Sequence, residues 1–354
     1  MGLDFIKNYS GCRLEQYDAQ FPLLEEQTDE DLELIPERVD LDYEVKPRAI
    51  DWEPISLSTP HTWKPSNWHE KPNRFVDGKD VGETVASVRS PSGQLVPIRL
   101  SQIGSISMRV ENGECRREFE VVERVVSMAV DLFPWTEVES FAAALQDNGF
   151  RLLPVRPPNG TSSYDFEIMR KRTQNRSNTE METLEETAIS HSCGEPTVID
   201  GRLQPRIRMG GFDIDESPVF GVIKTQRQNY LHIKGIQVLY QLETGQRTPV
   251  FTISRGWPSV VSWFIRLSGR GGGTPSTGIV RVEASQSWFE KYHRHNWDFV
   301  DQLSRTIYEY RCRERSYGRA AISLHPIVRA EESLGSLFQP LSILSNRFYH
   351  LVQL

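Results

Sequence analysis

Two short apolar runs in this chain each end in Asp-Gly, and this repeated pattern constrains the fold more than any other feature of the sequence. Phe75-Val76-Asp77-Gly78 and Val198-Ile199-Asp200-Gly201 read as buried strands whose last residue is an acid. An acid at a strand's end projects from the sheet edge, and the glycine after it lets the backbone turn sharply. If the two strands are neighbours, their carboxylates converge. Such hard oxygen donors suit Mg²⁺ or Mn²⁺. A lone Asp-Gly is commonly only a turn, so it is the doubling that points to a site.

The segments around these strands alternate in character, which indicates an α/β protein. Strand-like runs cover Glu83 to Val88 and Val96 to Val110, with a turn at Ser92-Gly93. Phe119 to Phe133 and Glu137 to Gln146 read as helices, the second closing at Asn148-Gly149. Arg151 to Val155 is a further strand, and a polar amphipathic helix spans Phe166 to Ser190. Strands are expected at 219–225, 248–254, 260–267 and 278–284, a flexible hairpin tip at 270–278, and helices at 297–313 and 327–351.

Charge is unevenly spread. Residues 1–70 hold 16 acids against 6 Lys and Arg, a net of −10, whereas residues 201–281 hold 4 acids against 11, a net of +7. The first segment reads as an acidic N-terminal arm preceding a core of residues 71–354. Its Trp52, Trp63 and Trp68 argue against disorder and suit it to packing on a partner or on the core. The basic stretch is a candidate DNA path, because binding to phosphates depends on local positive charge rather than on the net −7 of the whole chain. Arg202 and Lys224 are expected closest to the chemistry, with Arg266, Arg270 and Arg281 further along. No apolar run reaches the roughly 18 residues that a membrane span needs. The first residues lack a basic-then-apolar leader, and the four scattered cysteines form no Cys-x-x-Cys pair, so a reducing cytoplasm is the expected setting.

Two further features bear on chemistry. The helix before the second Asp-Gly strand carries Glu180, Glu182, Glu185 and Glu186, of which at most two can face one site. Lys224 sits in the otherwise apolar run Phe220-Gly221-Val222-Ile223-Lys224-Thr225, where an amine is costly unless paired or functional. No phosphate-binding Gly-x-x-x-x-Gly-Lys-Ser/Thr loop is present, which excludes ATP hydrolysis of that type by this chain.

In their order along the chain these motifs resemble the NurA nucleases, over about residues 70–354. The resemblance rests on Phe75–Gly78 with Val96-Pro97-Ile98-Arg99-Leu100, on Thr197–Leu203, on the Gly221-x-x-Lys224 strand, and on Ser262–Leu267 with Gly278–Glu283. It implies an RNase H-like mixed sheet flanked by helices and a metal-dependent deoxyribonuclease that uses two Mn²⁺ or Mg²⁺ ions. Asp77 and Asp200 would be metal ligands, Glu182 the third, with Glu186 as its rival, and Lys224 would lie near the scissile phosphate. The same resemblance implies a homodimer stacked on a HerA-type hexameric ATPase, in DNA end processing or phage defence. The alternative is a NurA-like adaptor that keeps the fold but has lost the metal site. One departure stands out: His325 occupies the place of a Tyr that archaeal members carry, and apart from distant His350 no His follows it.

Overall fold

The computed structural model describes residues 13–16, 38–49, 51–57, 68, 70–89, 93–157, 164–191, 194–203, 213–224, 230–254, 259–269, 275–314 and 317–353. Thirteen strands among them form one mixed sheet. In chain order they are β1 (Arg13–Gln16), β2 (Arg38–Asp40), β3 (Ile55–Ser56), β4 (Arg74–Arg89), β5 (Leu95–Glu111), β6 (Glu114–Ala129), β7 (Arg151–Val155), β8 (Thr197–Asp200), β9 (Val219–Ile223), β10 (Gln246–Arg247), β11 (Phe251–Ser254), β12 (Val260–Arg266) and β13 (Ile279–Ser285). The longer helices are α1 (Trp135–Asp147), α2 (Phe166–Ser190), α3 (Ile233–Gln241), α4 (Gln286–His293), α5 (Trp297–Glu309), α6 (His325–Leu337) and α7 (Leu341–Val352).

The centre of the sheet runs β6-β5-β4-β8-β9. β4, β5 and β6 form an antiparallel meander, whereas β8 lies parallel to β4 and β9 parallel to β8. Three antiparallel strands followed by two parallel ones beside the first is the RNase H-like arrangement that the resemblance implied. It makes the two Asp-Gly strands direct neighbours: Val76 of β4 pairs with Ile199 of β8. β13, β12, β11 and β2 extend the sheet beyond β9 as antiparallel neighbours.

Successive residues of a strand point to opposite faces, and the two faces here carry different helices. α2 crosses the face of Gly78, where its Met181 and Glu185 press on the backbone. α6 covers the face of Lys79 and Gly104, with Leu334 and Phe338 beside Gly104.

Three expectations change. Residues 119–129 are strand, not helix. Val121, Val122, Val125 and Val126 carry stiff β-branched side chains that favour a pleated backbone, and Val125 to Ala129 are buried without alternation because helices cover both faces. That removes the period-two signature by which a strand is read. The C-terminal helix is broken in two, with Pro340 ahead of α7, since proline has no N–H to continue a helix. Asp77-Gly78 does not end its strand, because β4 runs on to Arg89.

The acidic N-terminal segment is woven into the sheet: β1 pairs with β4, β2 with β11 and β3 with β10. Trp52 is buried among Ile199, Leu231 and Phe251, and Trp68 packs edge-on to Phe299 at 5.8 Å. These two tryptophans anchor the segment to its own chain; Trp63 lies outside the described residues. Glu44 is fully buried and receives Nη1 and Nη2 of Arg247 at 2.8 and 2.9 Å, while Arg247 Nε donates to Asp301 at 2.6 Å. The acidic segment thus neutralises a cation of the basic stretch inside the fold. Among the described residues no helix is long and apolar enough to cross a membrane.

Candidate metal centre

Asp77 and Asp200 meet where β8 stops. β8 ends at Asp200 because Gly201 takes φ +118°, a left-handed value that a side chain resists. β4 continues past this point on β5 but without β8 beside it, and the gap opens a cavity of about 400 Å³ lined by Asp77, Glu185, Asp200 and Glu331, with Lys79, Asp80 and Arg319. One carboxylate oxygen each from Asp77, Asp200 and Glu331 lie within 4.8 Å of one another. That convergence fits a divalent cation, whose bonds to oxygen are about 2.0–2.6 Å long.

Each acid comes from a different element. Asp77 is a strand residue, 5% exposed. Its carboxyl is held well above the usual range, first by burial, then by the charges of Asp200 and Glu185, with Lys224 opposing. Gly78 beside it is glycine for a steric reason: a Cβ there would sit 2.2 Å from Met181 Sδ and 2.8 Å from Glu185 Cδ. The missing side chain therefore lets α2 bring Glu185 down onto the strand. Glu331 comes from α6, and its carboxylate accepts from Tyr317 Oη and, at 2.8 Å, from Arg319 Nη2.

The helix acid expected from sequence was Glu182, with Glu186 as rival. Glu185 lines the cavity instead, and neither Glu182 nor Glu186 does. The reason is helical phase: Met181 and Glu185 are one turn apart on one face, and Glu182 is rotated away by one residue. Glu180 is bound by Arg151 at 2.6 Å and Arg176 at 2.8 Å. Glu331 was missed altogether. Its signal was an acid within the apolar stripe Ile327, Glu331, Leu334 of α6, at the i, i+4, i+7 positions that should face the core.

The expected cations divide. Lys224 follows β9, is largely buried, and donates from Nζ to Asp200 Oδ2 at 2.6 Å. Arg202 is half-buried just after Asp200. Arg266 is not on a DNA path: it is buried, and its guanidinium donates to the Thr277 and Pro275 carbonyls at 2.5 and 2.7 Å. Arg281 is buried as well, 3.1 Å from Glu283 and stacked on Tyr230. Arg270 lies outside the described residues. The basic run of sequence is thus partly internal wiring, which local charge counting cannot distinguish from a surface. His325 opens α6, ahead of Pro326, and its Nε2 receives Arg329 Nε at 3.3 Å; it does not line the acidic cavity.

Fold and site together define an RNase H-like α/β protein with a partly buried carboxylate centre suited to a divalent cation. No protein-family model matches the chain, and no curated protein matches it in sequence. Among solved structures, it is similar to the crystal structure of the NurA nuclease from Sulfolobus solfataricus, with a TM-score of 0.40 and 14% identity over 80% of this chain and 81% of that one.

Proposed function

We propose that the protein is a divalent-metal-dependent nuclease that hydrolyses DNA phosphodiester bonds. The observation that carries this is the convergence of Asp77, Asp200 and Glu331 to within 4.8 Å in one cavity, with Glu185 on its wall. Asp77, Asp200 and Glu331 would hold the first ion, and Glu185, with one of these, a second. When bound, Mg²⁺ or Mn²⁺ supplies Lewis acidity and offsets the charge that builds on the phosphoryl oxygens. The chain's own part is positioning. Asp200 fixes the Lys224 ammonium at the rim as a point charge for the scissile phosphate. Gly78 keeps Glu185 close to Asp77. The presence of all four acids favours an active enzyme over a scaffold that has lost its metal site. A homodimer working with a HerA-type hexameric ATPase, in DNA end processing or phage defence, completes the proposal.

The test is incubation of linear DNA with the purified protein and Mn²⁺ or Mg²⁺, with and without the ATPase, beside Asp200→Asn and an EDTA control. Cleavage by the wild type that both EDTA and the substitution abolish is expected. Persistent cleavage by Asp200→Asn would point to a contaminating nuclease, and no cleavage under any condition would sink the proposal.

A further inference from the structure

A second cavity, of about 320 Å³, abuts the acidic one. Its walls are residues 276–279 at the base of the β12–β13 hairpin and the segment 318–322. Arg319 lines both cavities, and Lys224, which also lines the second, holds Asp200 of the first. The two cations therefore form the partition. Beyond them the lining is small or apolar, chiefly Thr277, Ile279, Ala321 and Ile322, and no carboxylate is among its described residues.

We propose that this cavity is the subsite for the nucleotide adjoining the scissile phosphodiester, with Arg319 as the residue that positions that nucleotide's phosphate. The inference rests on the nuclease reading and adds a substrate class to it, an unpaired nucleotide at a DNA end. Size sets the first limit. The volume is at the low end of the roughly 300–1,000 Å³ of small-ligand pockets, room for one nucleotide and not for a base pair. Polarity sets the orientation, with phosphate at the cationic partition and sugar and base against Ile279, Ala321 and Ile322.

The walls are held in place before any ligand arrives. Arg266 ties down the Thr277 and Pro275 carbonyls, and Ser268 Oγ donates to the Ala321 carbonyl at 3.1 Å, joining one wall to the other. A preformed site spends less binding energy on ordering. The buried arginine that the sequence offered as a DNA contact would then serve DNA indirectly, by shaping this wall. Arg319 is suited to the partition because its side chain is 60% exposed and one Nη2 contact reaches Glu331. A guanidinium carries five N–H donors in a planar fork, so it can keep a carboxylate and take a phosphate oxygen on another edge.

The test is calorimetric titration of the full chain, in EDTA, with a deoxynucleoside 5′-monophosphate, with inorganic phosphate and with the unphosphorylated deoxynucleoside. The monophosphate is expected to bind more tightly than either fragment. Its affinity should fall at least tenfold in Arg319→Gln and in Ala321→Phe, which fills the cavity without touching an acid. Ser276→Phe, which fills it from the opposite wall, should match Ala321→Phe. The Mn²⁺-induced rise in melting temperature should be unchanged in both filled variants, which also shows that they are folded. Equal affinity for phosphate and monophosphate, or wild-type affinity in the filled variants, would overturn the subsite. DNA cleavage is scored separately. A protein that cleaves DNA but shows no cavity-dependent binding refutes the subsite alone, and one that binds the monophosphate through the cavity but never cleaves refutes the nuclease reading.

Discussion

Replacing Asp77 by Asn should stabilise the metal-free protein at alkaline pH while removing its response to metal. Asp77 is buried, and the carboxylates of Asp200 and Glu331 are within 4.8 Å of its own. At an effective dielectric of about 20, one like-charged pair at that distance costs roughly 3 kcal/mol. Lys224 offsets part of this, and proton uptake by Asp77 relieves more, as its raised pKa records. A net gain of about 1–2 kcal/mol for Asp77→Asn in EDTA at pH 8 is the expected remainder. With about 2.1 cal/mol/K of unfolding entropy per residue, the 354-residue chain should gain roughly 1–3 °C in melting temperature.

The pH dependence has a definite sign. Burial and neighbouring acids raise the folded pKa of Asp77, so between the ordinary Asp value and that raised value the folded state holds a proton the unfolded state has lost. Stability of the metal-free wild type therefore falls as pH rises through this window, by up to about 1.4 kcal/mol per unit, and levels off above it. Asp77→Asn lacks this component, so the two stabilities should converge toward pH 4. Mn²⁺ at a hundred times its dissociation constant should add about 2.7 kcal/mol to the wild type and little to the variant. Thermal melts at pH 4 to 8, with EDTA or Mn²⁺, measure all of this. A variant less stable than wild type in EDTA at pH 8, or one stabilised equally by Mn²⁺, would refute the reasoning.

Other substitutions test the supports of the site. Glu44→Gln leaves the buried Arg247 guanidinium short of its main counter-charge, and urea unfolding should show a loss of about 3–5 kcal/mol. Gly78→Ala places a Cβ 2.2 Å from Met181 Sδ, so a loss of about 1–3 kcal/mol is expected, with weaker Mn²⁺ binding in the same melts because Glu185 is displaced. Arg266→Ala should lower stability yet leave the salt dependence of DNA binding unchanged, because its guanidinium is spent on the Thr277 and Pro275 carbonyls. Arg202→Ala should instead reduce the slope of log affinity against log salt by about one phosphate contact.

Much of the fold was legible because strong local signals agreed with the tertiary context. α2 spans the Phe166 to Ser190 stretch that its polar amphipathic pattern marks, and the doubled Asp-Gly paired Asp77 with Asp200. The failures share a cause: they depend on what lies across the sheet. Residues 119–129 look helical in isolation because, over Val125 to Ala129, two covered faces erase the alternation of a strand. The choice among Glu180, Glu182, Glu185 and Glu186 depends on helical phase against Gly78, which one sequence does not reveal. Glu331 is 131 residues beyond Asp200, on an element that joins the site only once the sheet is covered on both faces.

The uneven charge of the chain also acquires a structural meaning. An acidic N-terminal segment and a basic stretch two hundred residues later invite a reading as two surfaces, one for a partner and one for DNA. In the fold, part of each is consumed by the other: Glu44 is buried against Arg247, and β2 and β3 pair with strands of the basic stretch. A buried pair of this kind gains little over a well-packed apolar pair, but breaking it is costly. Its effect is to make wrong registers of the N-terminal segment expensive, because a register that misplaces Glu44 strands two buried charges. Specificity of docking, rather than net stability, is what such a pair secures. The same accounting bounds the DNA-binding surface. Arg247, Arg266 and Arg281 are buried, so the electrostatic pull on a phosphate near the acidic cavity falls, among the described residues, to Lys79 and Arg319, which line it, and to Lys224, which holds Asp200. Three cations at the rim of a carboxylate centre hold few phosphates at once. A site of that size grips a strand end more naturally than a long duplex, whose wider contacts would have to come from surfaces beyond the rim.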